Sequence, residues 1–198
     1  DAGLVHLKGL VSLKTLGLTM TKVTDAGLVH LKGLTGLQSL GLDSTEITDA
    51  GLVYLKGLQL TSLGIPDDAK TDLGLKHYLA ALETHTDLNL SGWKITDVGL
   101  VHVKGLTKLE TLSLRGTKIT DAGLVHLKGL TGLQTLYLPS QITDAGLMHL
   151  RGLPNLQTLS LYHNQKITDA GLVHLKGLTG LQELSLESSQ ITDAGLVH

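Results

Sequence analysis

The stretch that decides the fold is Thr24-Asp25-Ala26-Gly27-Leu28-Val29-His30-Leu31-Lys32-Gly33-Leu34. With small changes it returns along the whole 198-residue chain at intervals of 24 residues or one either side. Its aspartate stands at Asp1, Asp25, Asp49, Asp72, Asp97, Asp121, Asp144, Asp169 and Asp193. Self-similarity at such a period is typical of solenoids, in which each repeat contacts mainly its neighbours. The sequence therefore predicts a stacked protein whose variable positions form an extended working surface.

The composition indicates an ordered chain and excludes several classes of function. Hydrophobic residues make up 41%, with 24 Gly and only 3 Pro, so the chain does not resemble a disordered one. The 16 basic residues are balanced by 18 acidic ones, which leaves no basic footprint for nucleic acid. Cysteine is absent, which excludes disulfides and thiolate chemistry. No apolar run approaches the ~20 residues of a membrane span.

One period, read from Leu37, has two halves with different hydrophobic rhythms. Leu40 and Leu42 alternate with small residues, which predicts a strand with one buried face. The second half predicts a short helix with Thr48 as its N-cap and Asp49 at the positive end of the helix dipole. Gly57 is expected to end that helix in a left-handed conformation.

A single period is too small to fold alone. Its large apolar residues are worth roughly 10–20 kcal/mol when fully buried. Ordering the period costs roughly 36 kcal/mol. The large apolar residues of this period are Leu37, Leu40, Leu42, Ile47, Leu52, Leu55 and Leu58. Only stacking closes the difference, so the strands are expected to form one parallel sheet with the helices outside it.

The pattern Leu-x-x-Leu-x-Leu-x-x-Thr-x-Ile-Thr-Asp-Ala-Gly-Leu, at residues 37–52, resembles the leucine-rich-repeat proteins. It looks closest to the Thr-Asp-x-Gly-Leu arrays of bacterial, especially planctomycete, proteins, and is similar to the cysteine-containing repeats of eukaryotic F-box proteins with Thr in place of Cys. The resemblance implies an α/β solenoid, a curved arc of about eight repeats of ~24 residues. In such an arc the parallel sheet lies on the concave side and the short helices on the convex side. It also implies protein or peptide binding on the concave face, without catalysis or cofactor.

We interpret 1–198 as a single solenoid. The chain starts and stops inside a repeat, at Asp1 and His198, with no polar capping unit. Exposed leucine layers would be unstable, so we expect missing caps, a trimmed chain, or end-to-end association.

Several segments break the period. The repeats at about 59–96 are irregular: Lys70 falls where a core isoleucine is expected, and residues 75–82 predict a longer helix without a glycine stop. The turn at 139–141 is one residue short and the turn at 162–166 one residue long. Trp93 occupies the slot of Thr45, where we interpret it as a core or turn filler.

Two rows of identical residues invite functional readings. The histidines at the sixth motif position are interpreted as a solvated convex surface rather than a metal site, because one ligand per helix does not converge on a point. They are His6, His30, His77, His102, His126, His149, His174 and His198.

The aspartates are interpreted as helix-capping groups rather than Ca²⁺ ligands. The repeated Gly3, Gly27 and Gly51 suggest close helix approach, although copying by recent duplication would leave the same pattern.

The candidate binding site is the part of the concave face that departs from small, weakly polar residues. Tyr and Arg are enriched in binding hot spots. The candidate residues fall in neighbouring repeats and are Arg115, Tyr137, Tyr162, His163, Glu183 and Glu187.

Three classes of function remain in view. We favour an interaction module for a protein or peptide ligand, with no metal. The alternatives are a structural protein that stacks head to tail, and the recognition domain of a larger enzyme. Catalysis by this chain is disfavoured because His85, Asp87 and His163 would lie on an open sheet face that excludes water poorly.

Overall fold

The structure, a computed structural model, describes residues 1–197. The last histidine of the predicted row, His198, lies outside the described residues. The chain divides into two compact units, the first at 1–84 and the second from residue 85 onward. The division falls inside the irregular segment predicted at 59–96.

Each unit contains a parallel β-sheet built from three-residue strands in chain order. The first unit has a sheet β1-β2-β3 and the second a sheet β4-β5-β6-β7-β8. The leucines at the centres of neighbouring strands are paired in register, as in Leu112 with Leu136 and Leu136 with Leu159. The predicted parallel pairing is confirmed within each unit, but the expectation of one sheet is wrong, because the strands form two. The strands are β1 Thr15–Gly17, β2 Ser39–Gly41, β3 Ser62–Gly64, β4 Asp87–Asn89, β5 Thr111–Ser113, β6 Thr135–Tyr137, β7 Thr158–Ser160 and β8 Glu183–Ser185.

Outside the irregular repeat, the helical half of a repeat is shorter and tighter than a regular α-helix. The α-helical segments are α1 Asp25–Leu28, α2 Asp72–Ala81, α3 Asp97–Leu100, α4 Asp144–Leu147 and α5 Asp169–Leu172. The 3₁₀ segments are Ala2–Leu7, Val29–Leu31, Gly51–Leu55, Asp67–Ala69, Val101–Val103, Gly123–Leu127, Met148–Gly152, Val173–Leu175 and Asp193–Val197. A 3₁₀ turn suits such short pieces because it closes a hydrogen bond with fewer residues.

The expected left-handed glycine at the helix end is present in some repeats only. Gly57 has φ +85° and Gly129 has φ +98°, as the glycine position predicts. The corresponding Gly33, Gly152 and Gly177 do not adopt positive φ.

The core consists of leucine layers stacked along each unit. All seven large apolar residues of the period that begins at Leu37 are buried, with exposed fractions of 0–5%. The alternating strand pattern explains this, since Leu40 and Leu42 point inward on either side of Gly41. The predicted core is confirmed. Trp93 is also confirmed as a core residue, with 5% of its surface exposed.

The irregular repeat contains the longest helix, as its spacing predicts. Helix α2 buries Leu75 and Leu79 and continues to Ala81. The expectation that Lys70 replaces a core isoleucine is wrong. Ala69 fills the core at 0% exposure, whereas Lys70 turns outward to an ion pair with Asp67 at 2.7 Å. An amine has no place in a leucine layer without a partner, so the turn rearranges to bury the methyl group instead.

The motif aspartate bonds to the next repeat, which was not foreseen from the sequence. Asp25 accepts two hydrogen bonds from Thr48, one from the backbone N–H at 2.8 Å and one from the hydroxyl at 2.7 Å. The same two-pronged contact joins Asp1 to Thr24, Asp97 to Thr120, Asp121 to Thr143, Asp144 to Thr168 and Asp169 to Thr192. A pair of charge-assisted hydrogen bonds, which we call the Asp–Thr clasp, therefore connects each of these repeats to the next.

The motif glycine makes room for this carboxylate. A Cβ built on Gly27 would lie 2.6 Å from Asp1 Oδ1, inside van der Waals contact. At Gly51, Gly123, Gly171 and Gly195 the nearest atom is likewise an oxygen of the preceding motif aspartate. The residues of the Thr-Asp-x-Gly motif thus act together. The aspartate carboxylate bonds to the threonine of the next repeat, and the glycine of that next repeat leaves the space that the carboxylate occupies.

Candidate functional site

The candidate site lies on the outward side of the second unit's sheet, which we call the sheet face. Along β5–β8 the inward leucines alternate with outward residues, so each strand contributes three outward positions in a line. The first positions are Thr111, Thr135, Thr158 and Glu183. The second are Ser113, Tyr137, Ser160 and Ser185, and the third, just past the strands, are Arg115, Pro139, Tyr162 and Glu187.

Arg115 lies across its neighbours rather than extending into solvent. Its guanidinium carbon stands 4.4 Å from the centroid of the Tyr137 ring, a cation–π contact. Its Nη2 donates a hydrogen bond to Ser160 Oγ at 2.9 Å, two strands away from β5. A long flexible side chain is therefore held in one place by an aromatic face and a hydroxyl.

Tyr162 and His163 form a second group beside β7 and β8. Their ring centroids are 4.0 Å apart, with the planes inclined at 64°. His163 has a left-handed backbone at φ +63° and donates its N–H to the Glu187 carbonyl at 3.0 Å. Tyr162 keeps 47% of its surface exposed, so a large aromatic face remains open to a partner.

The two glutamates lie at the β8 edge of the sheet face. The Ser185 hydroxyl donates a short hydrogen bond to the Glu187 carboxylate. Together with a backbone hydrogen bond, this holds the pKa of the Glu187 carboxyl below its usual range, so the group is charged at neutral pH. Glu183 accepts a longer bond from the Thr158 hydroxyl at 3.4 Å.

The structure places five of the six predicted site residues in two groups, while the side chain of the sixth, Glu183 on β8, bonds to Thr158. Arg115 and Tyr137 touch, and Tyr162, His163 and Glu187 are neighbours at the β7–β8 edge. Among the described residues no hydrogen bond, ion pair or ring contact joins the two groups. The arrangement presents charge and aromatic area on the outward side of the sheet, where Tyr162 is 47% exposed.

Sequence reasoning missed the serines that organise the site. Ser160 is only 3% exposed and carries the Arg115 bond, and Ser113 is 8% exposed and bonds the Ser91 hydroxyl at 2.7 Å. Small residues at these outward positions gave no sign in the sequence of a structural role. The one indication was that a parallel sheet places Arg115 close to serines on the neighbouring strands.

The altered turns are bound to the turns that precede them. In regular repeats a Thr hydroxyl bonds within its own turn, as Thr117 does to the Leu114 carbonyl at 2.7 Å. In the short turn Gln141 donates instead to the Thr117 carbonyl at 2.9 Å. In the long turn the fully buried Asn164 donates to the Pro139 carbonyl at 2.8 Å. Side-chain amides thus compensate for the changed turn lengths.

The histidine row is less solvated than predicted. His6 is exposed, but the members from His30 to His174 are half-buried on the helix side, and His30 Nδ1 is buried without a hydrogen-bond partner. Arg151 Nη2 lies 2.9 Å from His174 Nδ1. Among residues 1–197 no group of three or more His, Asp or Glu is arranged to hold a metal ion. In the same part of the chain no helix is long and apolar enough to cross a bilayer.

Comparison with known families identifies the repeats. A model described as "Leucine Rich repeats (2 copies)" matches residues 131–174 and 154–198. A model described as "Leucine Rich repeat" matches residues 105–127. A comparison with curated protein sequences gives no significant match.

Solved structures show the same architecture over nearly the whole chain. An internalin C2 from Listeria monocytogenes is 31% identical, with a TM-score of 0.59, over 90% of this chain and 73% of the internalin. A second internalin of that bacterium, inlF, is 23% identical, with a TM-score of 0.52, over 97% of this chain and 73% of its own. The chain belongs to the leucine-rich-repeat family, whose domains are typical protein-interaction modules.

Proposed function

We propose that the protein is a non-catalytic interaction module that binds a protein or peptide on the sheet face of β5–β8. The observation that carries the proposal is the platform formed by Arg115, Tyr137 and Ser160, next to the exposed ring of Tyr162. Side chains held in place before binding lose little conformational entropy when a ligand arrives. Arg and Tyr are also the residue types that supply most of the energy in binding hot spots.

The remainder of the surface supports this location. Apart from Pro139 and the two glutamates, the other outward positions are Thr and Ser, whose small side chains allow a ligand to approach closely. We also propose that 1–198 is one continuous solenoid and that its repeats are of the Thr-for-Cys type found in bacterial arrays, on the strength of the Thr-Asp-x-Gly device that recurs in both units.

The test is selection of peptide binders on the intact chain from a random displayed library, followed by affinity measurements on variants. The double variant Tyr137→Ala, Tyr162→Ala is expected to weaken most selected binders at least tenfold, since each truncation removes a hot-spot aromatic. Tyr54→Ala is the matched control, because Tyr54 is 42% exposed in the first unit, outside the site. Equal affinity for the double variant and the wild type would refute the location.

A second candidate function is association of copies through their end layers. Leu184 is 38% exposed and Leu196 is 66% exposed, and together with Leu172 they line an apolar pocket of about 270 Å³. We propose that the first layer of a second copy covers this surface, since Leu10 and Val11 expose 48% and 53% of theirs. Light scattering over a range of concentrations tests this, and a single monomeric mass throughout would exclude it.

A further inference from the structure

The sheet face carries opposite charges at its two sides, and this points to the chemistry of its ligand. In the third line of outward positions Arg115 supplies the cation and Glu187 the anion, with Pro139 and Tyr162 between them. Glu183 adds a second carboxylate on β8. The aromatic ring of Tyr162 therefore lies between the positive and the negative charges.

The position of the positive charge follows from the contacts of Arg115. Its guanidinium lies over Tyr137 of β6 and reaches Ser160 of β7, so the charge is displaced from β5 toward the centre of the sheet. A guanidinium has five N–H donors, and the bond to Ser160 occupies one of them. Donors remain for a carboxylate, whose planar oxygens match the guanidinium fork.

The distance between the two charges limits the ligand. Neighbouring strands are about 4.8 Å apart, so a guanidinium that lies over β6 and reaches β7 is about 7–10 Å from the Glu187 carboxylate that follows β8. An extended peptide rises about 3.3 Å per residue and presents alternate residues on the same face. Residues i and i+2 are thus about 7 Å apart and residues i and i+4 about 13 Å, and flexible acidic and basic side chains cover the remaining difference.

We infer that the ligand is an extended peptide segment that crosses the strands with an acidic residue at Arg115 and a basic residue at Glu187, separated by one or three residues. The inference rests on the proposed function of the same surface. The intervening same-face residue of an i, i+4 ligand would lie against Tyr162, whose open ring favours an apolar or aromatic side chain.

The experiment is the sequence profile of twelve-residue peptides selected from a random displayed library on the intact chain. Acid–base pairs are expected at i, i+2 and i, i+4 more often than at i, i+1 and i, i+3. Parallel selections use the targets Arg115→Gln and Glu187→Gln. The first target is expected to lose the enrichment of acidic residues only, and the second that of basic residues only.

A matched control keeps charge effects apart from site effects. Lys128→Gln removes an exposed cation on the helix side of the same unit and is expected to leave the profile unchanged. For one selected peptide, Arg115→Gln is expected to weaken binding about fivefold, the value of an exposed ion pair near 1 kcal/mol. High salt is expected to remove most of that difference.

The outcomes separate the two claims. Peptides that depend on Tyr137 and Tyr162 but show no paired charges, or whose profile is the same on Arg115→Gln, would overturn the inference and leave the proposed function standing. Selected peptides that are indifferent to both tyrosines would overturn both. Both claims would be supported if the Arg115→Gln target lost only the enrichment of acidic residues and the Glu187→Gln target lost only that of basic residues.

Discussion

The clasp between Asp144 and Thr168 makes a quantitative prediction about the Thr-Asp-x-Gly motif. Asp144 Oδ1 accepts the Thr168 N–H at 2.8 Å, and Oδ2 accepts the Thr168 hydroxyl at 2.6 Å. The carboxylate occupies the space where a Cβ on Gly171 would lie. The perturbations are Asp144→Ala and Gly171→Ala, alone and combined.

The magnitudes follow from these contacts. Asp144→Ala removes two charge-assisted bonds and leaves the partly buried Thr168 N–H unpaired, so it is expected to cost about 2–3 kcal/mol of unfolding free energy. Gly171→Ala alone overlaps the carboxylate and is expected to cost about 1–3 kcal/mol. In the Asp144→Ala background the overlap with the carboxylate is gone, and the next nearest atom is the terminal Cδ1 of Leu147, 3.2 Å from the added Cβ. There the same substitution is expected to be neutral or to gain up to about 1 kcal/mol from helix propensity.

The assay is urea unfolding followed by fluorescence of Trp93, the only tryptophan, which lies buried in the second unit. Gly177→Ala is the control, because a Cβ there meets nothing within 4 Å and the backbone is not left-handed. The reasoning would be refuted if Gly171→Ala had the same effect in both backgrounds, since that would mean that the glycine does not serve the aspartate.

Three further predictions test other parts of the structure. Burial raises the pKa of the Tyr78 phenol above its ordinary value of 10.0, so the unfolded chain releases that proton first and stability falls as pH rises above about 10. Tyr78→Phe is expected to reduce this alkaline loss of melting temperature, measured by circular dichroism, and an unchanged loss would contradict the assignment to Tyr78. Asn164→Ala is expected to cost about 1–3 kcal/mol because it removes the buried hydrogen bonds from the Asn164 amide to the Pro139 and Ile142 carbonyls, and a urea titration with no shift would count against that role. Trp93→Ala is expected to lower the unfolding free energy by about 3–5 kcal/mol in a circular-dichroism titration, and a loss under 1 kcal/mol would mean that Trp93 does not fill the core.

The strands and core were predictable because their signal is local. The alternation of Leu40 and Leu42 around Gly41 determines which face is buried, and the same alternation recurs in every repeat. The helix type was less accessible, since the same motif gives a turn of α-helix at Asp25–Leu28 and a 3₁₀ segment at Gly51–Leu55. Assignment at such short lengths shifts by a residue or two.

The role of the motif aspartate could not be read from one repeat. Its partner lies in the next layer, as Thr48 does for Asp25, and spacing alone does not show which way the carboxylate points. The candidate site was predictable only as a set of residues on one face. That Arg115 lies over Tyr137 and bonds Ser160 depends on the conformation of a long side chain among its neighbours, and the sequence does not encode this as a pattern.

The most direct test of the account is backbone NMR of the labelled chain titrated with a selected peptide. The amide shift changes are expected to be concentrated at 111–115, 135–139, 158–163 and 183–187, which comprise strands β5–β8 and the turns that follow them. Shift changes concentrated on the helix side, or within residues 1–84, would contradict it.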